Sequence, residues 1–215
     1  DLHLCDRRQR QMCIRDREIT IPLDPTQTPG ENAQRYFAKY NKQKRTFEAL
    51  TELIQETADD IQYLESISNA LDIALSEADL AQIKEELMQS GYIRRKHTKK
   101  KVKLTSKPMH YISSDGYDMY VGKNNLQNEE LTFSFANGND WWFHAKGAPG
   151  SHVIVKSGGD ELPDRTFEEA GRLAAYYSKN RGADKVEIDY IQKKHVKKPN
   201  GAKPVSYTHL RAHET

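Results

Sequence analysis

The chain has 215 residues and a mass of 24.7 kDa, with 36% apolar residues, 30% charged residues and a formal net charge of +2. The apolar fraction lies below the roughly 45–50% of typical globular domains, so one compact domain is not expected. No stretch approaches the roughly 18 apolar residues of a membrane-spanning helix, and two cysteines are too few for a disulfide framework. These properties exclude a helical membrane protein and a disulfide-rich secreted fold, and they indicate no membrane partner.

The two ends differ in character from the rest of the chain. Residues 1–17 combine five Arg and three Asp without any apolar periodicity. Both this segment and residues 205–215 resemble translated sequencing adapters. We therefore expect the two ends to be artefacts, and the native fragment to occupy residues 18–204.

Residues 18–92 are predicted to form an extended leading segment and a helical arm. Three prolines precede Gly30, and Glu31 and Asn32 lie where a helix cap is expected. Apolar residues then recur every three or four positions, which is typical of a short coiled coil. The members of this apolar stripe are Leu50, Leu53, Ile54, Ile61, Leu64, Ile67, Leu71 and Leu75. A second helix is predicted over residues 79–89 and ends at Gly91; the pattern leaves open whether the arm is one helix or a hairpin.

Charge is distributed unevenly along the arm and beyond it. Residues 31–48 carry five basic and two acidic residues, whereas residues 52–86 carry ten acidic residues and one lysine. The acidic part fits either the solvated face of a coiled coil or a surface for a basic protein. Residues 93–108 form a basic linker, which suits either a disordered connection or a nucleic-acid contact.

Residues 109–204 have the pattern of a mixed α/β domain. The dipeptide Asp115-Gly116 between alternating segments predicts a β-hairpin over residues 110–122. Further strands are predicted at residues 131–135, 142–145, 152–155 and 186–191. An amphipathic helix is predicted over residues 166–180, with Phe167, Ala170, Leu173, Ala174 and Tyr177 facing inward and Gly182 closing it. The fold class is therefore α+β, a long helical coiled-coil arm followed by a mixed α/β domain, and we expect that domain to be incomplete at its C-terminal end.

Polar, aromatic and basic side chains cluster around a Gly/Pro loop of this domain. The candidates are Asp140, Trp142, His144, Lys146, Ser151 and His152. One interpretation is a metal site formed by Asp140, His144 and His152, although the spacing lacks the helical pair of specific zinc motifs. A second is purely structural, with Trp141 and Phe143 packing on one side of a strand and the alternate residues forming a polar surface. A third is a surface that stacks bases and holds phosphates.

Two other segments offer cations or amides suited to a sugar-phosphate backbone. The first supplies Lys123, Asn124 and Asn125, and the second supplies His195, Lys197 and Lys198 in a Gly/Pro-rich loop. Loop lysines are well placed to meet phosphates, although a solvated loop has the same composition.

Several of these motifs resemble the NFACT-R domain of the NFACT family in order and spacing. They are residues 113–116, 121–125 with Gln127 and Asn128, 139–144, 149–152, 176–178 and 195–199. Residues 21–25 and 32–37 resemble the segment that leads into the coiled-coil arm of the same family. The resemblance covers nearly all of residues 18–204, and it is strongest to the bacterial ribosome-quality-control branch, also called fibronectin-binding proteins.

This resemblance implies a cytoplasmic, non-enzymatic factor that needs no cofactor. It implies binding to large ribosomal subunits obstructed by peptidyl-tRNA, through rRNA and a stalk-base protein. It also implies recruitment of tRNA, including alanyl-tRNA, for alanine tailing of stalled nascent chains. The twelve candidate residues named above from Lys123 to Lys198 would then contact RNA.

Two alternatives remain open at this point. One is a metal-dependent hydrolase that uses Asp140, His144 and His152. The other is a fibronectin-binding surface adhesin, as the older family name suggests. No export signal supports the adhesin in the residues given.

Overall fold

The computed structural model describes residues 9–14, 17–94, 106–198 and 208–209. The chain divides into two compact units at Ala58, within a long helix. The first unit contains antiparallel strands β1 (Gln9–Ile14) and β2 (Arg17–Pro22) and the first part of helix α1 (Pro29–Ile73). Most of the predicted basic linker, residues 95–105, lies outside the described residues.

Helix α1 begins with a capping box around Thr28. The hydroxyl and backbone N–H of Thr28 donate to a carboxylate oxygen of Glu31 at 2.8 and 2.7 Å, and the Glu31 N–H donates to the hydroxyl at 3.3 Å. This exchange satisfies N–H groups that have no partner inside the helix. Pro29 follows Thr28, and proline is favoured at the position after the cap. The cap is therefore Thr28, and the prediction of a cap at Glu31 or Asn32 is wrong.

The 45 residues of α1 confirm the predicted helical arm, but the apolar stripe is not its packed face. Within the described part of the chain, Ile67 is the buried member of the stripe, and the other seven are exposed. The helix packs instead through Tyr63, Ile67, Ala70 and Ile73, which are buried near its C-terminal end. The coiled-coil packing predicted from the stripe is therefore not present among these residues.

In the second unit, the end of α1 and helix α2 (Glu77–Gln89) form a helical hairpin. Tyr63, Ile67, Ala70 and Ile83 form its apolar cluster. Ser76 caps α2 in a capping box with Asp79. Gly91 has a φ of 83°, the left-handed conformation that glycine adopts at helix ends, which confirms the predicted C-terminal signal.

The rest of the second unit is built around a five-stranded antiparallel sheet. The strands are β3 (Met109–Ile112), β4 (Asp118–Val121), β5 (Trp141–Ala145), β6 (Val153–Val155) and β7 (Ile188–Gln192). Their order across the sheet is β3-β4-β6-β5-β7. The turn between β3 and β4 contains Gly116 at a φ of 88°, which confirms the predicted hairpin. A 3₁₀ turn (Lys193–His195) follows β7 and leads into β8 (Val196–Lys197), which pairs with β9 (Thr208–His209).

Both faces of the sheet are buried. On one face, helix α4 (Asp164–Tyr176) packs against Phe143, Val153 and Val155, and all five predicted inward residues lie in that cluster. The opposite face buries Trp142 and Ile154. A sheet that is covered on both sides gives strands without simple apolar and polar alternation.

Two local predictions in this domain are wrong. Residues Leu131–Phe135 form a π-helical turn that continues helix α3 (Asn125–Glu130) rather than a strand. The Asn124 side chain caps α3 by accepting the Gln127 N–H at 2.9 Å, so the chain enters residue 131 already helical. Helix α4 ends at Tyr176, and Gly182 lies outside it.

None of the helices in the described ranges is both long enough and apolar enough to cross a membrane. The finding agrees with the hydropathy of the sequence.

Candidate nucleic-acid interface

A cluster of cations follows strand β7 at one edge of the sheet. We call residues 193–198 the basic turn; it holds four lysines and no acidic residue. The N–H groups of Lys193 and Lys194 donate to the carbonyl oxygens of Asp140 and Gly138 at 2.9 and 3.0 Å. These bonds fix the backbone of the basic turn against the loop that precedes β5.

The side chains of the basic turn divide between the core and the surface. Val196 is buried against the same cluster as Trp142, whereas Lys194, His195 and Lys197 are exposed. Exposed lysines on a fixed backbone can meet phosphate oxygens without a large ordering cost. His195 and Lys197 thus lie where the predicted RNA contact requires them, and the contact itself remains a prediction.

Lys198 points back to the protein. Its Nζ lies 2.6 Å from Oε1 of Glu129, and both side chains are about one-third exposed. Because the Glu129 carboxylate already pairs with its ammonium group, Lys198 is less suited to a phosphate contact than Lys194 or Lys197.

Lys123 forms an ion pair with helix α2. Its Nζ lies 3.1 Å from Oδ1 and 3.4 Å from Oδ2 of Asp79, a side chain that is 1% exposed. Burial acts to raise the pKa of Asp79, but hydrogen bonds from Ser106, the Leu75 N–H and Lys123 outweigh it and lower the pKa to about 2. Lys123 therefore neutralises a buried carboxylate, which is a structural role, and its RNA contact stays a prediction.

The neighbouring asparagines are also bound to the helical hairpin. The Asn124 amide donates to Oε1 of Gln82 at 2.8 Å. The Asn125 amide donates to the Ser66 hydroxyl and to Oε1 of Glu86, both at 2.8 Å. Both asparagines are buried, so the prediction that they contact RNA is wrong. Among the described residues, no residue belongs both to the apolar cluster of the hairpin and to a cluster of the sheet. The hydrogen bonds of Asn124 and Asn125 therefore connect the hairpin to the sheet through polar side chains.

Ser151 and His152 belong to a tightly packed loop. The Asn128 side chain accepts the His152 N–H at 2.9 Å and donates to the Gly150 carbonyl at 3.2 Å. A Cβ on Gly122 would lie 2.2 Å from Oδ1 of Asn128, so only glycine fits beside it. Ser151 and His152 are buried. Burial excludes both from the direct RNA contact predicted for them.

Trp142 lies in the core of the second sheet face. Its side chain is 0% exposed and makes a T-shaped contact with His152 at 5.1 Å and a stacked contact with His144 at 5.6 Å. Neither a base-stacking role nor a place in a polar surface is possible for a buried ring. Both predictions for Trp142 were wrong because the π-helical turn and Val196 cover this face of the sheet.

Asp140 is buried in a separate ion pair. Its Oδ2 accepts from Lys156 Nζ at 2.6 Å and from the Asn137 N–H at 2.7 Å. Nδ1 of His152 lies 2.7 Å from the Thr132 hydroxyl. In the described ranges, no three His, Cys, Asp or Glu side chains converge to hold a metal ion. The interpretation of Asp140, His144 and His152 as a metal site therefore has no support in the described residues, and the burial of Asp140 excludes it from a direct RNA contact.

His144, near the end of β5, is half-buried, and Lys146, just after the strand, is exposed. Lys146 Nζ lies 3.0 Å from Oε2 of Glu187, and both side chains are more than half exposed. Such a surface pair contributes little and can exchange its partner for a phosphate. Their RNA contacts stay predictions.

Sequence reasoning missed the residues that hold this arrangement together. Lys156, which pairs with Asp140, follows a buried strand, and its position at a strand end was a usable signal. Tyr177 donates or accepts a 2.6 Å hydrogen bond with the Tyr111 hydroxyl, whereas the adjacent Tyr176 is exposed. Helical periodicity predicted the inward position of Tyr177, but no sequence signal indicated its hydrogen bond with Tyr111.

Family comparisons cover most of the chain. Residues 8–106 match the family model described as NFACT N-terminal and middle domains. Residues 107–204 match the model described as NFACT protein RNA binding domain.

Curated relatives and a solved structure agree with these matches. The chain is 47% identical over 193 residues to an Rqc2 homolog RqcH of Streptococcus pneumoniae, which covers 88% of this chain and 34% of that protein. It is 42% identical over 200 residues to the Rqc2 homolog RqcH of Bacillus subtilis, covering 91% and 34%. The chain thus spans about a third of the length of these relatives. The C-terminal part of the fibronectin/fibrinogen-binding protein of Streptococcus suis has a similar structure, with a TM-score of 0.76, 44% identity, and coverage of 85% of this chain and 73% of that one.

Proposed function

The chain belongs to the NFACT family, and from this premise we propose that its residues 107–204 bind ribosomal RNA through the basic turn. The observation that carries the proposal is the exposure of Lys194, His195 and Lys197 on a backbone fixed by two hydrogen bonds. Phosphate contacts from lysines supply most of the affinity of RNA-binding surfaces and make it dependent on salt.

The biological setting follows from the names of the relatives. The Drosophila melanogaster relative, 25% identical over 175 residues, is named a ribosome quality control complex subunit NEMF homolog. These names support a role in ribosome quality control; the finer proposal, that the target is the large ribosomal subunit obstructed by peptidyl-tRNA in the cytoplasm, follows the family resemblance described above. In the complete protein this fragment would support tRNA recruitment and alanine tailing by holding the subunit, and it would act by binding without catalysis.

The experiment is co-sedimentation of the chain with large ribosomal subunits at several salt concentrations. The Lys194→Glu/Lys197→Glu double variant should bind more weakly and with a smaller salt dependence than the unaltered chain. Lys185→Glu, in the exposed loop before β7, is the matched control and should bind as the unaltered chain does.

A second candidate function is suggested by the similarity to the solved structure of a fibronectin/fibrinogen-binding protein. Under this alternative, immobilised fibronectin would retain the chain at physiological salt and large subunits would not. Two binding assays on one preparation of the chain, one with immobilised fibronectin and one with large subunits, distinguish the two candidate functions.

A further inference from the structure

Base stacking on RNA requires an aromatic ring that solvent can reach. Between residues 106 and 198, the exposed Phe and Tyr side chains are Phe135 at 40%, Tyr176 at 66% and Tyr190 at 59%. The two tryptophans of this domain do not reach that exposure. The imidazoles of His110 and His195 are also exposed but offer a smaller stacking face, so we compare the three larger rings.

Two of the three rings are poorly suited to RNA. The Phe135 ring already has Lys156 Nζ 4.7 Å from its centroid and the Tyr120 ring at 4.7 Å. Tyr190 borders a cavity of about 430 Å³ whose charged lining residues are Asp164 and Glu168. Glu168 is paired with Arg172 at 2.6 Å, but the exposed Asp164 carboxylate has no cation among the lining residues of that cavity and would repel the phosphate of a base entering it.

Tyr176 borders a different cavity, between β3 and the C-terminal half of α4. This cavity has a volume of about 390 Å³, within the roughly 300–1,000 Å³ of small-molecule sites. Met119 and Leu173 line it together with Ile112, which is 66% exposed, as Tyr176 is. An apolar lining between two exposed side chains provides a slot for a planar group.

The adjacent Tyr177, unlike Tyr176, makes contacts that stabilise the fold. Its hydroxyl forms a 2.6 Å hydrogen bond with Tyr111, and its carbonyl oxygen accepts the Ser151 N–H at 3.0 Å. Tyr176 makes a T-shaped ring contact with Tyr177 at 4.9 Å and otherwise faces the cavity and solvent. Packing of the fold therefore does not account for an aromatic residue at position 176.

The charges around the Tyr176 cavity are balanced. The Glu169 carboxylate accepts the Ser114 N–H at 2.8 Å and also the Ser114 hydroxyl, and it lies 3.6 Å from Arg165. Arg172, also in the lining, pairs with Glu168 at 2.6 Å, but both side chains are more than 60% exposed, so this surface pair can exchange its carboxylate for a phosphate more readily than the pair of Lys198 can. The exchangeable guanidinium at the rim and the compensated Glu169 carboxylate permit the approach of a phosphate.

We propose that an unpaired nucleobase of single-stranded RNA stacks on Tyr176 in this cavity, with the guanidinium of Arg172 near its phosphate. The proposal rests on the RNA-binding function proposed above and gives it a second contact, distinct from the basic turn. An apolar side chain of a partner protein is the alternative occupant, and the test below separates the two.

The test uses the full chain and a single-stranded RNA in which one adenine is replaced by 2-aminopurine, whose fluorescence falls on stacking. Tyr176→Ala should bind about 5- to 150-fold more weakly, the range that stacking of one base contributes, and should lose the fluorescence change. Tyr176→Phe keeps the ring and should retain both. Tyr190→Ala removes an equally exposed ring and should bind within about twofold of the unaltered chain, as expected for a ring that contacts no RNA.

The salt dependence of binding should be the same for Tyr176→Ala and the unaltered chain, because no cation is removed. Unchanged affinity and fluorescence in Tyr176→Ala would overturn the base site and favour a protein side chain as the occupant, while binding through the basic turn would stand. Equal losses in Tyr176→Ala and Tyr190→Ala would also overturn it. If the unaltered chain binds no RNA at low salt, both this inference and the proposed function fail.

Discussion

The ammonium group of Lys123 lies 3.1 Å from the carboxylate of Asp79, a side chain that is 1% exposed. The two residues are 44 positions apart, and their contact joins the helical hairpin to the segment that enters α3. A lysine from a motif suited to RNA thereby neutralises a buried carboxylate of the helical hairpin. Asn124 and Asn125 also bond to the hairpin, so this segment stabilises the junction between the hairpin and the sheet.

The first prediction concerns Asp79→Asn. A pKa of about 2 in the folded protein, against about 3.9 in the unfolded chain, corresponds to about 2.5 kcal/mol of stability at neutral pH. Because the folded value is the lower one, this stability is present above about pH 4 and is lost as the pH falls toward 2. Asp79→Asn should therefore be destabilised by about 2.5 kcal/mol at pH 7 and by about half as much at pH 3, as measured by urea unfolding.

The matched control for Asp79→Asn is Asp72→Asn. Asp72 pairs with Arg181 at 3.7 Å, but both side chains are more than half exposed. Surface pairs of this kind contribute less than about 1 kcal/mol. Equal effects of the two substitutions, or an effect of Asp79→Asn that does not change with pH, would contradict the role assigned to the buried pair.

The second prediction concerns Glu86→Gln. Oε1 of Glu86 accepts the Asn125 amide at 2.8 Å, whereas Oε2 is buried and has no hydrogen-bond partner within the described part of the chain. Burial raises the pKa of Glu86, so the ionised form costs stability above that pKa and the cost disappears as the pH falls below the unfolded value. Glu86→Gln should be more stable than the unaltered chain by about 1 kcal/mol at pH 7, since an amide is less costly to bury than a carboxylate.

The advantage of Glu86→Gln should shrink toward zero between pH 7 and pH 4 in the same unfolding assay. Glu85→Gln, at the adjacent and more exposed position, serves as the control and should change stability little at either pH. A loss of stability in Glu86→Gln at pH 7 would show that the ionised carboxylate is required at the junction.

The third prediction separates the core from the surface in the aromatic motif. Trp142 is 0% exposed, so Trp142→Ala should cost about 3–5 kcal/mol through lost burial and a cavity. Tyr176→Ala, at an exposed ring, should change the unfolding free energy by less than about 0.5 kcal/mol. A small effect of Trp142→Ala would mean that the ring is accessible and would restore it as a stacking candidate.

The comparison of sequence and structure is instructive at particular elements. The hairpin at Asp115 and Gly116 and the inward face of α4 were predictable, because turn chemistry and helical periodicity are local properties. Residues 131–135 were read as a strand because they alternate apolar and polar residues. Their π-helical conformation depends on the α3 cap at Asn124, seven residues earlier.

The candidate site was harder to predict because polar side chains serve both binding and folding. An asparagine or an aspartate can serve in either role, so the residue type does not decide between them. The deciding factor is a partner distant in sequence, which is Glu86 for Asn125 and Lys156 for Asp140. The predicted exposure of Trp142 was wrong for a related reason, since the segments that cover its ring come from outside its own strand. In contrast, the lysines of the basic turn lie close together in the sequence and could be identified as a cluster without the structure, while their RNA contact stays a prediction.

The most direct test of the account is co-sedimentation with purified large ribosomal subunits over a range of salt concentrations, comparing the unaltered chain with Lys194→Glu/Lys197→Glu and with Lys185→Glu. The unaltered chain and Lys185→Glu should pellet with the subunits at low salt. The double variant should bind at least about tenfold more weakly, with a slope of log K against log salt smaller by about 1.5, as expected for two lost phosphate contacts. Absence of binding by the unaltered chain at low salt, or equal binding by the double variant and Lys185→Glu, would contradict the assignment of the basic turn as the RNA contact.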